Sequence, residues 1–398
     1  MRKAIFVDDE PRILQGLRRQ LRPLRDEWEM TFATGGREAL AIMQDEGFDA
    51  IISDMRMPGM DGAEFLAHCR ARHPEATRIV LSGHMERDST LQAVRVAHQF
   101  LTKPCDAQSL RDVLRRIAAL HAFAPPPHLR ACLGGIDSVA LPTAIHQELV
   151  RTVEDPDCDP ASVEAIVATN PVLVAKLLQL VNSAFVGSRQ SVTRLDDAIR
   201  TIGPRMLREL VVSIGIVHGV DDDRSLVRFD SNRHRQHATA VAELAWRLAG
   251  PGHRDTAFSA GLLHDVGEVL LAVHLPAESE AVRARVATEG RARAEIEREL
   301  LGFSHAETGA YLLGLWGLPA EIVRAVAHHH DPSRVAREEI DAVLAVHVAD
   351  ALDVEALGST GTLALDNDEV ERWIAPDVLS RCRAEGVAPS GEEVARVR

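Results

Sequence analysis

The chain has 398 residues, 46% hydrophobic and 26% charged, the balance of a globular protein of two to three domains rather than a disordered or low-complexity chain. Lys+Arg 45 against Asp+Glu 59 gives a net charge of −14, the wrong sign for a non-specific nucleic-acid binder. The 5 cysteines (Cys69, Cys105, Cys132, Cys158, Cys382) are scattered and form no CxxC, which excludes a disulfide framework or zinc knuckle and implies a reducing, cytoplasmic setting.

The N-terminus MRKAIFVDDE reaches carboxylates by Asp8 and so does not read as a secretory signal. The apolar run Leu210–Val217 is too short to span a bilayer, and no membrane association is expected. Short apolar runs at Ala4–Val7, Met30–Ala33, Ala50–Ser53, Ile79–Leu81 and Gln99–Leu101 read as strands. Helical patterns fall at Arg12–Leu24, Arg37–Gln44, Gly62–Arg72, Ser89–Val96 and Ala107–His121. This alternation of β and α units predicts a doubly wound α/β domain over 1–122, a five-stranded parallel sheet of flavodoxin-like type with ligands beyond the carboxyl ends of its strands.

Phe123–Arg130, FAPPPHLR, reads as an extended, semi-rigid Pro-rich linker. Residues 131–352 have helical periodicity with almost no alternation and predict an all-α domain. The stretch 353–398 is Pro- and Gly-punctuated, with weak helices around Asp368–Ile374 and Pro376–Arg383. Charge divides unevenly: 1–122 is neutral, with 18 basic and 18 acidic residues, so the −14 lies wholly in 123–398. Only Lys3, Lys103 and Lys176 are lysines, which marks positions where a compact ammonium is needed in an Arg-rich chain.

Asp8 and Asp9 follow the first strand and Asp54 the third; Ser82 ends the fourth, and Lys103-Pro104 follow the fifth. The fold gathers these groups at one sheet edge, where three carboxylates repel unless a hard cation such as Mg²⁺ lies among them. A carboxylate there can attack phosphorus, with Lys103 and Ser82 stabilising the charge on the phosphoryl group. Residues 1–122 resemble the receiver domain of two-component response regulators. The resemblance implies Asp54 as phosphoacceptor, with Asp8, Asp9, Asp54 and the backbone carbonyl of Arg56 holding Mg²⁺. It implies Ser82 as the switch hydroxyl, Lys103 as the phosphoryl-pairing ammonium followed by a cis bond to Pro104, Phe100 as the aromatic switch, and a sensor histidine kinase as partner.

The second half is histidine-rich, and its sharpest element is Gly261–Leu271, GLLHDVGEVLL. An adjacent His264-Asp265 pair inside an apolar helix needs a partner if buried. With His237 and Asp350 it forms a His/carboxylate set that suits Mn, Fe, Ni or Zn. His305, with His328 or His329, would add a second metal able to activate water on a phosphoester. This half, from about Ile136 to Leu352, resembles the HDOD domain, a branch of the HD phosphohydrolase superfamily. The marks are NPVLVAKLLQLVNSAFVG, SVTRLDDAIRTIGPRML, GLLHDVGEVLL, LLGFSHAETGAYLLGLWGLP and the HHH run. Superfamily transfer implies His237, His264, Asp265 and Asp350 as metal ligands. Cyclic-dinucleotide phosphodiesterases of the HD-GYP branch carry Lys three residues after His-Asp, where this chain has Glu268, and a GYP loop where it has HDPSRVAREE.

The reading is a two-component response regulator: a histidine kinase phosphorylates Asp54, and the HDOD domain relays the change to a protein partner. The alternative is a phosphorylation-gated metal phosphohydrolase at the His-Asp site. A third is a nucleotide sensor using that pocket without turnover. No helix-turn-helix follows the receiver, so direct DNA binding is not expected. A homodimer through the face containing the last receiver strand and helix is.

Overall fold

A computed structural model of the chain describes residues 1–82, 96–103, 105, 107–120, 125–135, 143–154, 159–182, 192–203, 207, 231–336 and 339–356. The first domain is a five-stranded parallel sheet in the order β2-β1-β3-β4-β5, from β1 (Arg2–Val7), β2 (Trp28–Ala33), β3 (Ala50–Asp54), β4 (Thr77–Ser82) and β5 (Gln99–Thr102). Every residue of β3 is buried, as an inner parallel strand covered on both faces requires. Helices α1 (Pro11–Gln20), α2 (Gly36–Ile42), α3 (Gly62–Arg72) and α4 (Ala107–Leu120) wind around it. The helix expected at Ser89–Val96 lies almost wholly outside the described residues, as does Pro104.

Alternation within the strands builds two apolar layers. Ala4, Phe6, Ile52, Ile79 and Leu81 face Leu14 and Leu17 of α1 and Val113, Leu114 and Ile117 of α4. Ile5, Val7, Ile51 and Val80 face Ala39 of α2 and Phe65, Leu66 and Cys69 of α3.

The second domain is helical throughout its described residues. Its elements are α5 (Pro127–Gly134), α6 (Thr143–Glu154), α7 (Pro160–Val167), α8 (Pro171–Asn182), α9 (Ser231–Leu248), α10 (Arg254–Leu263), α11 (Val266–His274), α12 (Pro276–Glu289), α13 (Arg293–Leu301), α14 (His305–Leu315), α15 (Ala320–His328) and α16 (Ala342–Ala356). Arg254–His274 is apolar and long enough to cross a membrane, but it is two helices broken at His264-Asp265, two thirds buried in the core.

The extended linker is corrected. From Pro127 onward the segment is helical, because proline at the first helical position lacks only an N–H that would be unpaired there anyway. The two domains also share apolar packing at their joint. Leu120 of α4 belongs to the helical core, and Leu180 of α8 belongs to the sheet's core layer with Val96, Ala97 and Phe100.

Arg78 on β4 is the hub of this joint, with 0% exposure. Its guanidinium donates to the carbonyls of Gly134 (2.6 Å) and Val96 (2.7 Å), so a buried cation is satisfied largely by carbonyl oxygens, with the His98 ring beside it. The His98 Nδ1 accepts from the Arg78 backbone N–H at 3.0 Å, which leaves Nε2–H to donate to Gly134 O at 3.0 Å. From the other side, Gln179 of α8 donates to His98 O at 2.6 Å.

Lys176 of α8 is 2% exposed, with Nζ 4.7 Å from the centroid of the Trp316 ring. Burial, reinforced by the Arg78 guanidinium, pulls its pKa down to about 7. The unfolded chain keeps this proton up to the ordinary value of 10.5, so stability rises with pH between about 7 and 10.5. Lys176→Met is therefore expected to flatten that rise and to stabilise the protein at pH 6 by about 2 kcal/mol, after allowing for the lost cation–ring contact. Urea unfolding at pH 6 and pH 9 checks this. A variant less stable than wild type at pH 6 would mean the ring holds the ammonium more strongly than burial opposes it.

Candidate functional site

Sheet register assembles the first site. Val7 lies opposite Ser53, Asp54 opposite Leu81, and Ser82 opposite Thr102, so Asp8, Asp54, the end of β4 and Lys103 meet at one edge. Asp8 is 1% exposed and Asp54 8%. The Lys103 Nζ stands 2.6 Å from Asp8 Oδ2 and 2.6 Å from Asp54 Oδ1. Asp9 joins Asp8 and Asp54 in a group with ligand oxygens within 4.8 Å of one another. Burial raises the Asp54 pKa, with Lys103 opposing. Burial also pulls the Lys103 ammonium down, but its bonds to Asp54 and Asp8 outweigh this and leave it raised. Three oxygen donors gathered in a partly buried cleft fit a hard divalent cation. Arg56 lies two residues beyond Asp54, exposed, in the loop after β3. Phe100 is buried at 3% in the layer containing Val80 and Phe65.

The second site lies between α9, α10, α11, α14, α15 and α16. His264 and Asp265 are not inside one helix, as the apolar pattern implied. They form the break between α10 and α11, and Asp265 occupies the N-cap of α11 without its side chain capping any backbone N–H. Its carboxylate points instead into a ring of imidazoles. Oδ2 is 3.6 Å from His237 Nε2 and 3.2 Å from His264 Nε2. Oδ1 is 3.3 Å from His305 Nε2 and 3.6 Å from His329 Nε2. Asp350 on α16 completes the first lobe, 3.2 Å from His237 Nε2. Close backbone packing makes this possible: a Cβ on Gly267 would collide with the backbone of His305, so only glycine lets α11 abut the start of α14.

The tautomers are fixed from outside the ring. His264 Nδ1 donates to Gly261 O (2.7 Å), and His329 Nδ1 to Val326 O (2.8 Å). His237 Nδ1 donates to Asp353 Oδ2 (2.7 Å), and His305 Nδ1 to Glu297 Oε2 (2.6 Å). All four Nε2 atoms therefore face inward. One pair of them nearly touches, His237 with His264 at 3.1 Å, and His305 Nε2 lies 2.7 Å from that of His330. Among the described residues, the buried His329 Nε2 finds no hydrogen-bond partner. The Nε2 lone pairs of His237 and His264 facing each other require a metal ion or a proton between them, and a His/carboxylate set split into two lobes about one shared aspartate fits two transition-metal ions. Burial pulls His237 down, but Asp350 and Asp353 outweigh it and hold it up near 11; Glu297 and Asp265 likewise hold His305 well above its ordinary value.

His237, His264, Asp265, Asp350, His305 and His329 come together as expected. His328 does not: it is half-buried at the end of α15, beside Arg334 and Asp331, and His330 takes the place assigned to it. The buried face of α15 at Ile322, Val323 and Val326, extended by three and four residues, selects 329 and 330 rather than 328. Glu297 and Asp353 also escaped the sequence reading; Asp353 alone had a signal, one helical turn beyond Asp350. Glu268 is held by Arg293, Oε1 to Nε 3.0 Å. Glu297→Gln and Asp353→Asn are each expected to weaken metal retention about 10- to 100-fold without unfolding the protein, measured by competition with a chromophoric chelator.

A receiver-domain model matches residues 4–115 and an HDOD-domain model residues 139–332, so Asp350 on α16 lies beyond the matched segment. The hydrogenase transcriptional regulatory protein HoxA of Cupriavidus necator is 35% identical over 115 residues, 28% of this chain and 23% of that protein. The response regulator protein PilR of Pseudomonas aeruginosa is 33% identical over 113 residues, 28% of this chain and 25% of that one. An uncharacterized protein of Treponema pallidum is 27% identical over 187 residues, 46% and 36% of the two chains. This chain thus spans a quarter to about a third of the length of these relatives. Among solved structures, the MmoQ response regulator of Methylococcus capsulatus superposes with a TM-score of 0.47 at 22% identity, covering 66% of this chain and 98% of that one. Two family models matched in sequence, each on the half of the chain whose architecture it describes, place this chain among the response regulators that join a receiver domain to an HDOD domain.

Proposed function

We propose that this chain is a phosphorylation-controlled signalling regulator: Asp54 accepts a phosphoryl group from a histidine kinase, and the HDOD module passes the changed state to a protein partner. The observation that carries the reading is the Lys103 ammonium held 2.6 Å from both the Asp8 and Asp54 carboxylates. In the proposed reaction an Asp54 oxygen forms a bond to phosphorus as the P–N bond of phosphohistidine breaks. The electron pair returns to the imidazole nitrogen, which takes up a proton. Asp8, Asp9, Asp54 and the Arg56 carbonyl would hold Mg²⁺, which would supply charge neutralisation at the phosphoryl oxygens. Lys103 then transfers from the Asp54 carboxylate to the new phosphoryl oxygens, and Ser82 and Phe100 are the groups that follow it. The acidity of the helical half favours a protein partner over DNA. Incubating the full chain with acetyl phosphate and Mg²⁺ is expected to add a single hydroxylamine-labile phosphoryl group; no labile phosphate rejects the reading.

A second reading, a metal-dependent phosphohydrolase, is favoured by the two-lobed His/Asp centre. His237, His264, Asp265 and Asp350 would hold one ion and His305, His329 and His330 the other, sharing Asp265. Metal held by these residues would supply Lewis-acid activation of water and of the phosphoester. Glu268 opposes the reading, because a carboxylate tied to Arg293 stands where phosphate binding needs an unpaired cation. A phosphoester screen on metal-loaded protein separates the two readings: turnover lost in Asp265→Ala selects the enzyme, and its absence with metal bound selects the signalling module.

A further inference from the structure

Helix α14 runs from the histidine centre to the start of the receiver's last strand. At its C-terminus, Gln99 Nε2, from the first residue of β5, donates to Leu315 O at 2.9 Å and lies 3.4 Å from Gly314 O. Gln99 is 5% exposed and seated on Gly317, whose φ of +73° turns the chain just past the helix. Gly314 packs directly on Leu120, the last residue of α4, where a Cβ would collide. At its N-terminus, Ser304 and Glu307 form a reciprocal capping box that fixes the first turn, and the first helical residue is His305, which faces Asp265 and His330. Between these ends lie 11 residues, 10 of them buried, a rod of about 16 Å at ~1.5 Å per residue.

The receiver end of this rod is tied to the phosphoacceptor. Lys103 bonds Asp54 and directly follows β5, the strand that Gln99 begins. A phosphoryl group on Asp54 places a dianion where Lys103 sits and moves its partner atoms outward, so the pull is delivered along a four-residue strand. We infer that β5 and α14 form a mechanical link by which the state of Asp54 sets the position of His305, and thereby the metal affinity of the histidine centre. The inference rests on the metal reading of that centre. The link is reciprocal: metal at the centre alters the receiver's affinity for a phosphoryl group by the same factor.

The test uses the full chain in excess Mg²⁺, with beryllofluoride as the phosphoryl mimic and Mn²⁺ titrated by calorimetry. Signal remaining in Asp265→Ala is subtracted. In wild type, beryllofluoride is expected to change the Mn²⁺ dissociation constant about 5-fold or more. In Gln99→Ala both ligands still bind, and the factor falls to about one. If that variant fails to fold, Gln99→Met keeps the length and removes the donor. A factor of one in wild type with both sites loading overturns the inference, as does an unchanged factor in the Gln99 variant. Wild type that binds no more Mn²⁺ than Asp265→Ala removes the metal reading itself, and the link to it.

Discussion

Asp54→Asn is expected to take up no phosphoryl group from acetyl phosphate, while wild type is labelled. The loss is all or none because the reaction needs a carboxylate oxygen as nucleophile, and an amide oxygen at the same place does not form a stable acyl phosphate. The substitution should be tolerated by the fold. Burial already raises the Asp54 pKa, so a neutral group of the same size fits, and Lys103 keeps its 2.6 Å bond to Asp8. Lys103→Gln is the informative companion. It removes the ammonium that bridges the two carboxylates, leaving Asp8 and Asp54 to repel each other in a partly buried cleft. Its labelling should be retained or slowed, with the coupling to the helical half lost. Intact mass before and after hydroxylamine treatment reads both variants. A hydroxylamine-labile adduct on Asp54→Asn would transfer the acceptor role to Asp8 or Asp9, the other carboxylates of the cluster.

The receiver half was legible because its signals are local. Each strand is a short apolar run, each acidic residue sits at a strand end, and parallel pairing needs no further information to bring Asp8, Asp54 and Lys103 to one edge. Strand boundaries moved by one or two residues, as for β2, which begins at Trp28 rather than Met30, while the first helix ends at Gln20, four residues before Leu24. The helical half was legible in composition and in its chemistry-bearing residues, but not in their second neighbours. Glu297 is eight residues before His305 and bonds to it only because α13 folds back on α14. His330 was distinguishable from His328 only by carrying the apolar face of α15 past its end. The break at His264-Asp265 was hidden because both flanks are apolar helix. The prolines were misread for a similar reason: a run of three reads as extended, whereas the last of them opens a helix whose carbonyl at Gly134 receives Arg78.

That joint bears on association. Leu120, Gln99 and Arg78 are engaged by the helical half of the same chain. Pairing between receivers through the last strand and helix therefore has to use the remainder of that face, or wait until the joint opens.

Asp265→Ala is expected to strip the helical half of transition metal. Wild type purified without chelator or added metal should carry about one or two Mn, Fe, Ni or Zn per chain, and the variant none, by plasma mass spectrometry. The effect should exceed that of any single histidine change, because among the described residues Asp265 alone reaches both lobes, Oδ2 toward His237 and His264 and Oδ1 toward His305 and His329. The inward Nε2 atoms of His237 and His264, 3.1 Å apart, require positive charge between them whichever way the experiment falls. If that charge is metal, Asp265→Ala loses it, and Asp265→Asn, which keeps the volume, loses it equally. If it is protons, wild type carries no metal, and both variants unfold more readily because four imidazoles are left without their shared carboxylate. In the first case the centre is a site whose affinity Asp54 can tune; in the second it is a charged core, and the module acts through its surface alone.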